Sequence, residues 1–348
     1  MENKRVTRKS GIELLRIFAM LGVIVLHYND GRAFVYANSE INRIVLWILE
    51  SLCICAVDLF VLISGYFLSA TQKRSLLKSV ELIIQVIVFK VGIYIFTIFS
   101  SNTPFSIKKL ILNMIPNNYF VVFYITLYII SPYLNNIFTA FTKAQWNKFI
   151  ITMYITFSVY PTGVDLLEEI LGREFMGLSN IGAWGAQQGF NVLNFILLYF
   201  VGAYLRYNPI SKKIPIWKQL ISVGITVLVI FVWFLFTTKL TRLELSSAWV
   251  YHNPVVILLS ALLFILFNSF SFSNRIINEL AKASLTCFLF HGMLLQYMKI
   301  EKYATGKVFV MIAHIIAVTI VCYLSSYVVY KIYNGMFKTL KRIMKLEQ

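Results

Sequence analysis

Charge is what this chain has least of. Charged residues make up 14% of its 348 positions and hydrophobic residues 59%, whereas soluble domains carry about 25% charged residues. Mean hydropathy is +0.74. A chain of this composition cannot cover itself with polar surface, which excludes a water-soluble globular protein. Cysteine is scarce too: Cys53, Cys55, Cys287 and Cys322 all fall in apolar segments. Cys53 and Cys55 cannot pair within one helix, and no Cys or His spacing resembles a zinc site, so core packing is the expected role of all four. No metal site is expected. No repeat period, linker or soluble domain interrupts the chain.

What is present is a series of long apolar runs. Crossing ~30 Å of hydrocarbon takes about 20 helical residues. Ten candidates lie near 12–28, 44–68, 79–100, 119–138, 147–161, 190–206, 216–237, 253–270, 281–299 and 308–331, the fifth being short. Continuous apolar stretches without period-two alternation predict helices rather than a β-barrel. The expected fold is all-α and polytopic, one membrane domain over 1–348. The chain ends seventeen residues past the last run, which predicts short tails at 1–11 and 332–348.

The net charge of +17 then reads as topology. With the N-terminus inside, twenty Lys and Arg fall on the cytoplasmic side and ten on the outer side, leaving Arg16 and Lys90 within spans. That asymmetry predicts both termini in the cytoplasm of a multi-pass cell-membrane protein, in contact with lipid and not nucleic acid. The longest loops, 162–189 and 238–252, are expected outside. Gly, Trp and Tyr there could line an outward-opening site. Gly185 and Gly189 form a weak GxxxG outside any apolar run.

Ionisable groups inside apolar runs are the functional candidates. The first run, Ile12 to His27, carries Glu13, Arg16 and His27. Eleven helical residues turn through about 1100°, so Arg16 and His27 leave one face ~16 Å apart along the axis. A ligand lying along the helix would meet both. Two plainer accounts compete: Arg16 snorkelling to headgroups beside Glu13 while His27 reaches the far interface, and a cleaved signal peptide.

Asp58 opens a second segment, Asp58-Leu59-Phe60-Val61-Leu62-Ile63-Ser64-Gly65-Tyr66. Its carboxylate lies deep enough to demand a partner, with Arg16, Lys90 and His291 as candidates. Ser64-Gly65 permits close helix approach, with packing the plain alternative. His291 is a second intramembrane histidine, although a lone His on an apolar helix is commonly a satisfied core group. His252 reads as interfacial, and His314 has no polar company in its run. Tyr124, Tyr128 and Pro132 read as packing with a proline kink.

Together these segments resemble the membrane acyltransferase-3 family. Arg16 through His27 fits its Arg-x10-His signature, and Asp58 through Tyr66 its Asp-Leu-Phe-Phe-x-x-Ser-Gly-Tyr segment. Leu127-Tyr128 to Ser131-Pro132 is similar to a third element. Ala283-Ser284 to Phe290-His291 is similar to a fourth, usually Ser-x-x-x-Tyr-Leu-x-His. The resemblance covers essentially the whole chain and shares its ten-span arrangement. Val61 replaces a Phe, Phe288 and Leu289 stand where Tyr-Leu is common, and Lys73 to Lys78 lacks the usual Arg-rich stretch followed by Pro.

The resemblance implies transfer of an acyl group, usually acetyl, from cytoplasmic acyl-CoA to a hydroxyl of an extracytoplasmic glycan. Such a glycan would be a capsular, exopolysaccharide or other cell-envelope one, as a surface polysaccharide or a lipid-linked glycan. Arg16, Arg74 and Lys78 would hold acyl-CoA phosphates. His27 would act as general base, oriented by Asp30, or as an acyl carrier. Glu13, Asp58, Ser64, Tyr66 and His291 would support the site or the substrate. A transporter or flippase of lipid-linked sugar also fits ten helices with buried charges, although no matching Gly- or Pro-broken repeats are visible. Nothing specific speaks for a sensor or partner subunit.

Overall fold

In the computed structural model, residues 9–101, 103–116, 118–173, 175, 191–210, 214–240 and 246–343 are described. Among them there are helices and no strand. In chain order they are α1 (Ser10–Tyr28), α2 (Glu40–Cys53), α3 (Ala56–Leu68), α4 (Leu76–Ser101), α5 (Ile107–Met114) and α6 (Tyr119–Ala140). There follow α7 (Lys143–Tyr154), α8 (Tyr160–Leu171), α9 (Val192–Tyr207), α10 (Ile216–Leu240) and α11 (Pro254–Asn268). The last are α12 (Arg275–Leu280), α13 (Ser284–Leu295), α14 (Ile300–Ala304) and α15 (Val308–Ile343).

Small polar residues at the breaks start these helices. Ser39, Asn118, Thr142, Asn191 and Asn253 each accept from a backbone N–H of the following turn, and Thr142 with Gln145 forms a capping box. Gly172, at φ 61°, closes α8 in the left-handed conformation that glycine adopts without a Cβ penalty.

Eight helical stretches among the described residues are long and apolar enough to cross a membrane. The chain is therefore a multi-pass helical membrane protein. Two expected spans come out short. The expected 190–206 run is α9, with 16 residues, or ~24 Å at 1.5 Å per residue. The expected 281–299 run is α13, with 12 residues, or ~18 Å; Lys299 then takes a positive φ of 45° and starts a separate turn. The fifth run is longer than expected. A π-helical stretch, Ile155–Val159, joins α7 to α8 into one continuous helix, and Pro161, which lacks the N–H of a regular helix, follows that stretch directly. The expected outer loop thus gives up its first ten residues to helix. Gly185 and Gly189 lie outside the described residues. α15 continues past 331 to Ile343, so the expected tail begins as helix.

α1 is the hub. Of its span window 67% is buried, against 11% for α4. It touches α2, α3, α11, α13 and α15. Its first turn is pinned by Ser10, which accepts from Asn274 N (2.7 Å) and donates to Asn278 Oδ1 (2.8 Å), while Ser10 N donates to Phe272 O. α12 is clipped in turn to α15: Glu279 takes ammonium groups from Lys282 and Lys331, whose hydrogen bonds hold its carboxyl below the usual carboxylate range. The four cysteines are buried and unpaired, as core packing requires.

Candidate functional site

Since α1 is unbroken from Ser10 to Tyr28, Arg16 and His27 do lie on one stripe of a helix surrounded by protein. At the Arg16 end, Glu13 is buried, and Arg16 Nη1 donates to its two oxygens at 3.2 and 3.0 Å. The guanidinium stands 5.4 Å from the centre of the Phe67 ring. Arg206 of α9 stands 5.3 Å from the neighbouring Tyr66 ring and donates to Tyr66 O at 3.2 Å. Phe67 and Tyr66 themselves are 5.3 Å apart. Two guanidinium groups from separate helices therefore flank one pair of rings at the end of α3. Among the described residues, Nε and Nη2 of both arginines have no acceptor. Those free forks are what a phosphate would engage.

Arg74 is used differently. Its Nε donates to Ser131 Oγ (2.7 Å), Nη1 to Thr71 O, Thr71 Oγ1 and Lys73 O, and Nη2 to Leu68 O (2.8 Å), over the Tyr128 ring. Asn135 also donates to Leu68 O, and Tyr207 to Ser69 O. The last carbonyls of a helix lack intrahelical partners and carry partial negative charge. Arg74 thus caps α3 and ties it to α6. Lys78 is exposed on the first turn of α4, with no hydrogen bond from its ammonium to a described residue. Ser64 donates back to Phe60 O, and the Tyr66 ring packs on Phe264.

At the other end of the stripe, the His27 ring meets that of His291, centre to centre 4.9 Å with 36° between planes. The His27 side chain is exposed at the surface of the protein. It hydrogen-bonds to no described residue. His291 is 5% exposed, and its Nδ1 lies 2.9 Å from Cys287 O. Phe288, in the position where the family commonly has Tyr, places its ring 6.1 Å from that of His291 and packs on Phe120. Asp30 lies in a π-helical turn, Asn29–Ala33, exposed and without a hydrogen bond to His27. The preceding residue, Asn29, is buried and donates to Glu50 Oε2 at 2.7 Å.

Two expectations about partners differ from what the fold builds. Asp58 is fully buried, and neither of its oxygens has a hydrogen-bond partner among the described residues. Each candidate partner has a nearer one: Arg16 has Glu13, Lys90 donates to Ile115 O, and His291 bonds Cys287 O. His314 is not without polar company, since Tyr28 Oη lies 2.8 Å from its Nδ1 and Tyr303 stacks on it at 3.7 Å. His252, just before the start of α11, is buried, with Nε2 2.7 Å from Asp165 Oδ2. Tyr28 and Asp165 are remote in sequence from the histidines they meet, whereas Glu13 and Cys287 lie one helical turn from Arg16 and His291. Glu50 and Arg206 are the residues that sequence reading passed over. Glu50 was visible as an acid within the second apolar run, and Arg206 as a cation at the end of the sixth.

A family model described as an acyltransferase domain matches residues 9–331. The chain belongs to the membrane acyltransferase-3 family. No curated protein and no solved structure matches it. Its place in the acyltransferase-3 family makes it a membrane acyltransferase, and the two ends of α1 are where its fold gathers cations and imidazoles.

Proposed function

We propose that this acyltransferase moves an acetyl or other short acyl group from cytoplasmic acyl-CoA to a hydroxyl of a cell-surface carbohydrate, such as a capsular, exopolysaccharide or lipid-linked glycan. On this reading the chain crosses the cell membrane ten times, α9 and α13 included, with both termini inside. The observation that carries the proposal is α1 itself: free guanidinium forks at one end and an unengaged imidazole ~16 Å away at the other.

The residues suit the donor. A pantetheine arm is comparable to five or six extended residues, on the order of 18 Å, close to the Arg16–His27 separation. Arg16 and Arg206 would take phosphate oxygens, with Lys78 adding charge and Arg74 shaping the mouth through the α3 cap. The thioester supplies an electrophilic carbonyl carbon. At the far end, His27 accepts the proton of the carbohydrate hydroxyl as its oxygen bonds to that carbon. The C–S bond breaks, and the proton passes from His27 to the departing sulfur. An acyl-histidine route through His27 uses the same groups.

Purified protein in nanodiscs, incubated with acetyl-CoA labelled in the acetyl group and an envelope polysaccharide fraction, tests the reading. Label on the glycan is expected. A glycan that stays unlabelled while sugar-lipid is translocated would establish the transporter alternative.

A further inference from the structure

Two imidazoles in ring contact, drawn from helices 264 residues apart in sequence, are not equivalent here. A backbone carbonyl can only accept, so the 2.9 Å contact with Cys287 O places a proton on His291 Nδ1. On the neutral ring that leaves the lone pair on Nε2, with no hydrogen-bond partner among the described residues. His27 shows the reverse pattern: it is accessible to solvent, yet no described residue fixes its tautomer. A general base works only if the lone pair, not the N–H, faces the hydroxyl.

The two defects answer each other. Two imidazoles joined by an in-line N–H···N bond have ring centres on the order of 5 Å apart, and the observed separation is 4.9 Å. No N–H···N bond joins the rings in this arrangement; a turn of the His27 side chain that aims one of its nitrogens at His291 Nε2 would make one without moving either helix. Asp30 is exposed and shares the π-helical turn beyond α1, so it is the weaker orienting group. His291, at 5% exposed, is too enclosed to meet a carbohydrate itself.

We infer that His291 is a positioning residue for His27: its Nε2 accepts the N–H of one His27 nitrogen, directs the other lone pair at the acceptor hydroxyl, and holds the imidazolium formed on proton transfer. Nδ1–H of His291 stays on Cys287 O throughout, so no proton leaves the pair except to the departing sulfur. The assignment rests on the acyl-transfer reading above.

The test uses His291→Gln, His291→Phe and His291→Ala in the full-length protein, each checked for monodispersity after purification. Gln keeps an acceptor oxygen near the Nε2 position, whereas Phe keeps ring bulk and stacking without an acceptor. With acetyl-CoA and envelope glycan, the Ala and Phe variants are expected to lose on the order of 100-fold in kcat with little change in KM. The Gln variant should recover roughly tenfold over Phe. Wild-type kcat in the Phe variant, or Gln no better than Phe, would overturn the inference and leave His291 a packing residue. A second arm needs no transfer: the rate at which diethyl pyrocarbonate modifies His27, read by peptide mass spectrometry. It should fall several-fold in the Phe variant and hold in Gln, and equal rates in wild type and Phe would likewise overturn it. If wild type transfers no acetyl while this pattern holds, the acyl-transfer reading fails and the pairing of the rings stands.

Discussion

Arg16 and His27 differ in what the protein has already spent on them. Arg16 is half engaged, one nitrogen on Glu13 and its face on Phe67. His27 is held by ring contact alone. Removing each should therefore fail differently. His27→Ala should abolish transfer in a protein that elutes and melts like wild type, because it takes away no hydrogen bond among the described residues; retained full activity would end its assignment. Arg16→Ala should raise the KM for acyl-CoA by roughly tenfold or more, since one charge-assisted hydrogen bond is worth about 1.5–3 kcal/mol. An unchanged KM would remove Arg16 from the donor site. Arg206→Ala should add a comparable rise, a residue that the apolar-run reading left as an ordinary helix-end cation.

Between elements, α3 and α9 approach closely. A Cβ on Gly65 would stand 2.3 Å from Tyr199 O, and one on Gly202 would stand 2.1 Å from Leu62 O. The two glycines face each other's backbones, so small residues here set the distance between helices, as Ser64-Gly65 had suggested. Gly202→Leu should lower the thermal midpoint in detergent and the yield of monodisperse protein, because overpacking costs about 1–3 kcal/mol or more. Gly92→Ala on α4, whose Cβ meets nothing within 4 Å, is the matched control and should leave the midpoint in place. The same contact carries Tyr199, whose hydroxyl donates to Asn135 Oδ1, and so reaches the cap that Arg74 and Asn135 build on α3.

For the molecule as a whole, the sidedness argued from Lys and Arg is open to direct test. The four native cysteines are buried, so single cysteines at exposed Lys338 and Lys239 should report cleanly. Lys239→Cys is expected to react with an impermeant maleimide in intact cells, and Lys338→Cys only after permeabilisation. The opposite pattern would invert the topology and put the arginine end of α1 outside, away from cytoplasmic acyl-CoA.

Composition and periodicity by themselves determined that the chain is helical and membrane-embedded, where most spans run, and that Arg16 and His27 share a face. These properties are local: hydropathy over some 20 residues and a 3.6-residue turn suffice for them. The motif order pointed to the family for the same reason. What only the tertiary structure decided is who meets whom. His291 beside His27, Arg206 and Arg16 on the adjoining rings of Tyr66 and Phe67, and Tyr28 on His314 bring together residues more than 180 positions apart. Arg74 went to a helix cap because the orphan carbonyls of α3 end beside it, and hydropathy carries no record of them. The shortness of α13 was equally hidden, since the helix stops at Leu295 while the expected run carries on through Tyr297 and Met298. Burial in a membrane is written residue by residue, whereas a site is assembled from side chains that the fold brings together.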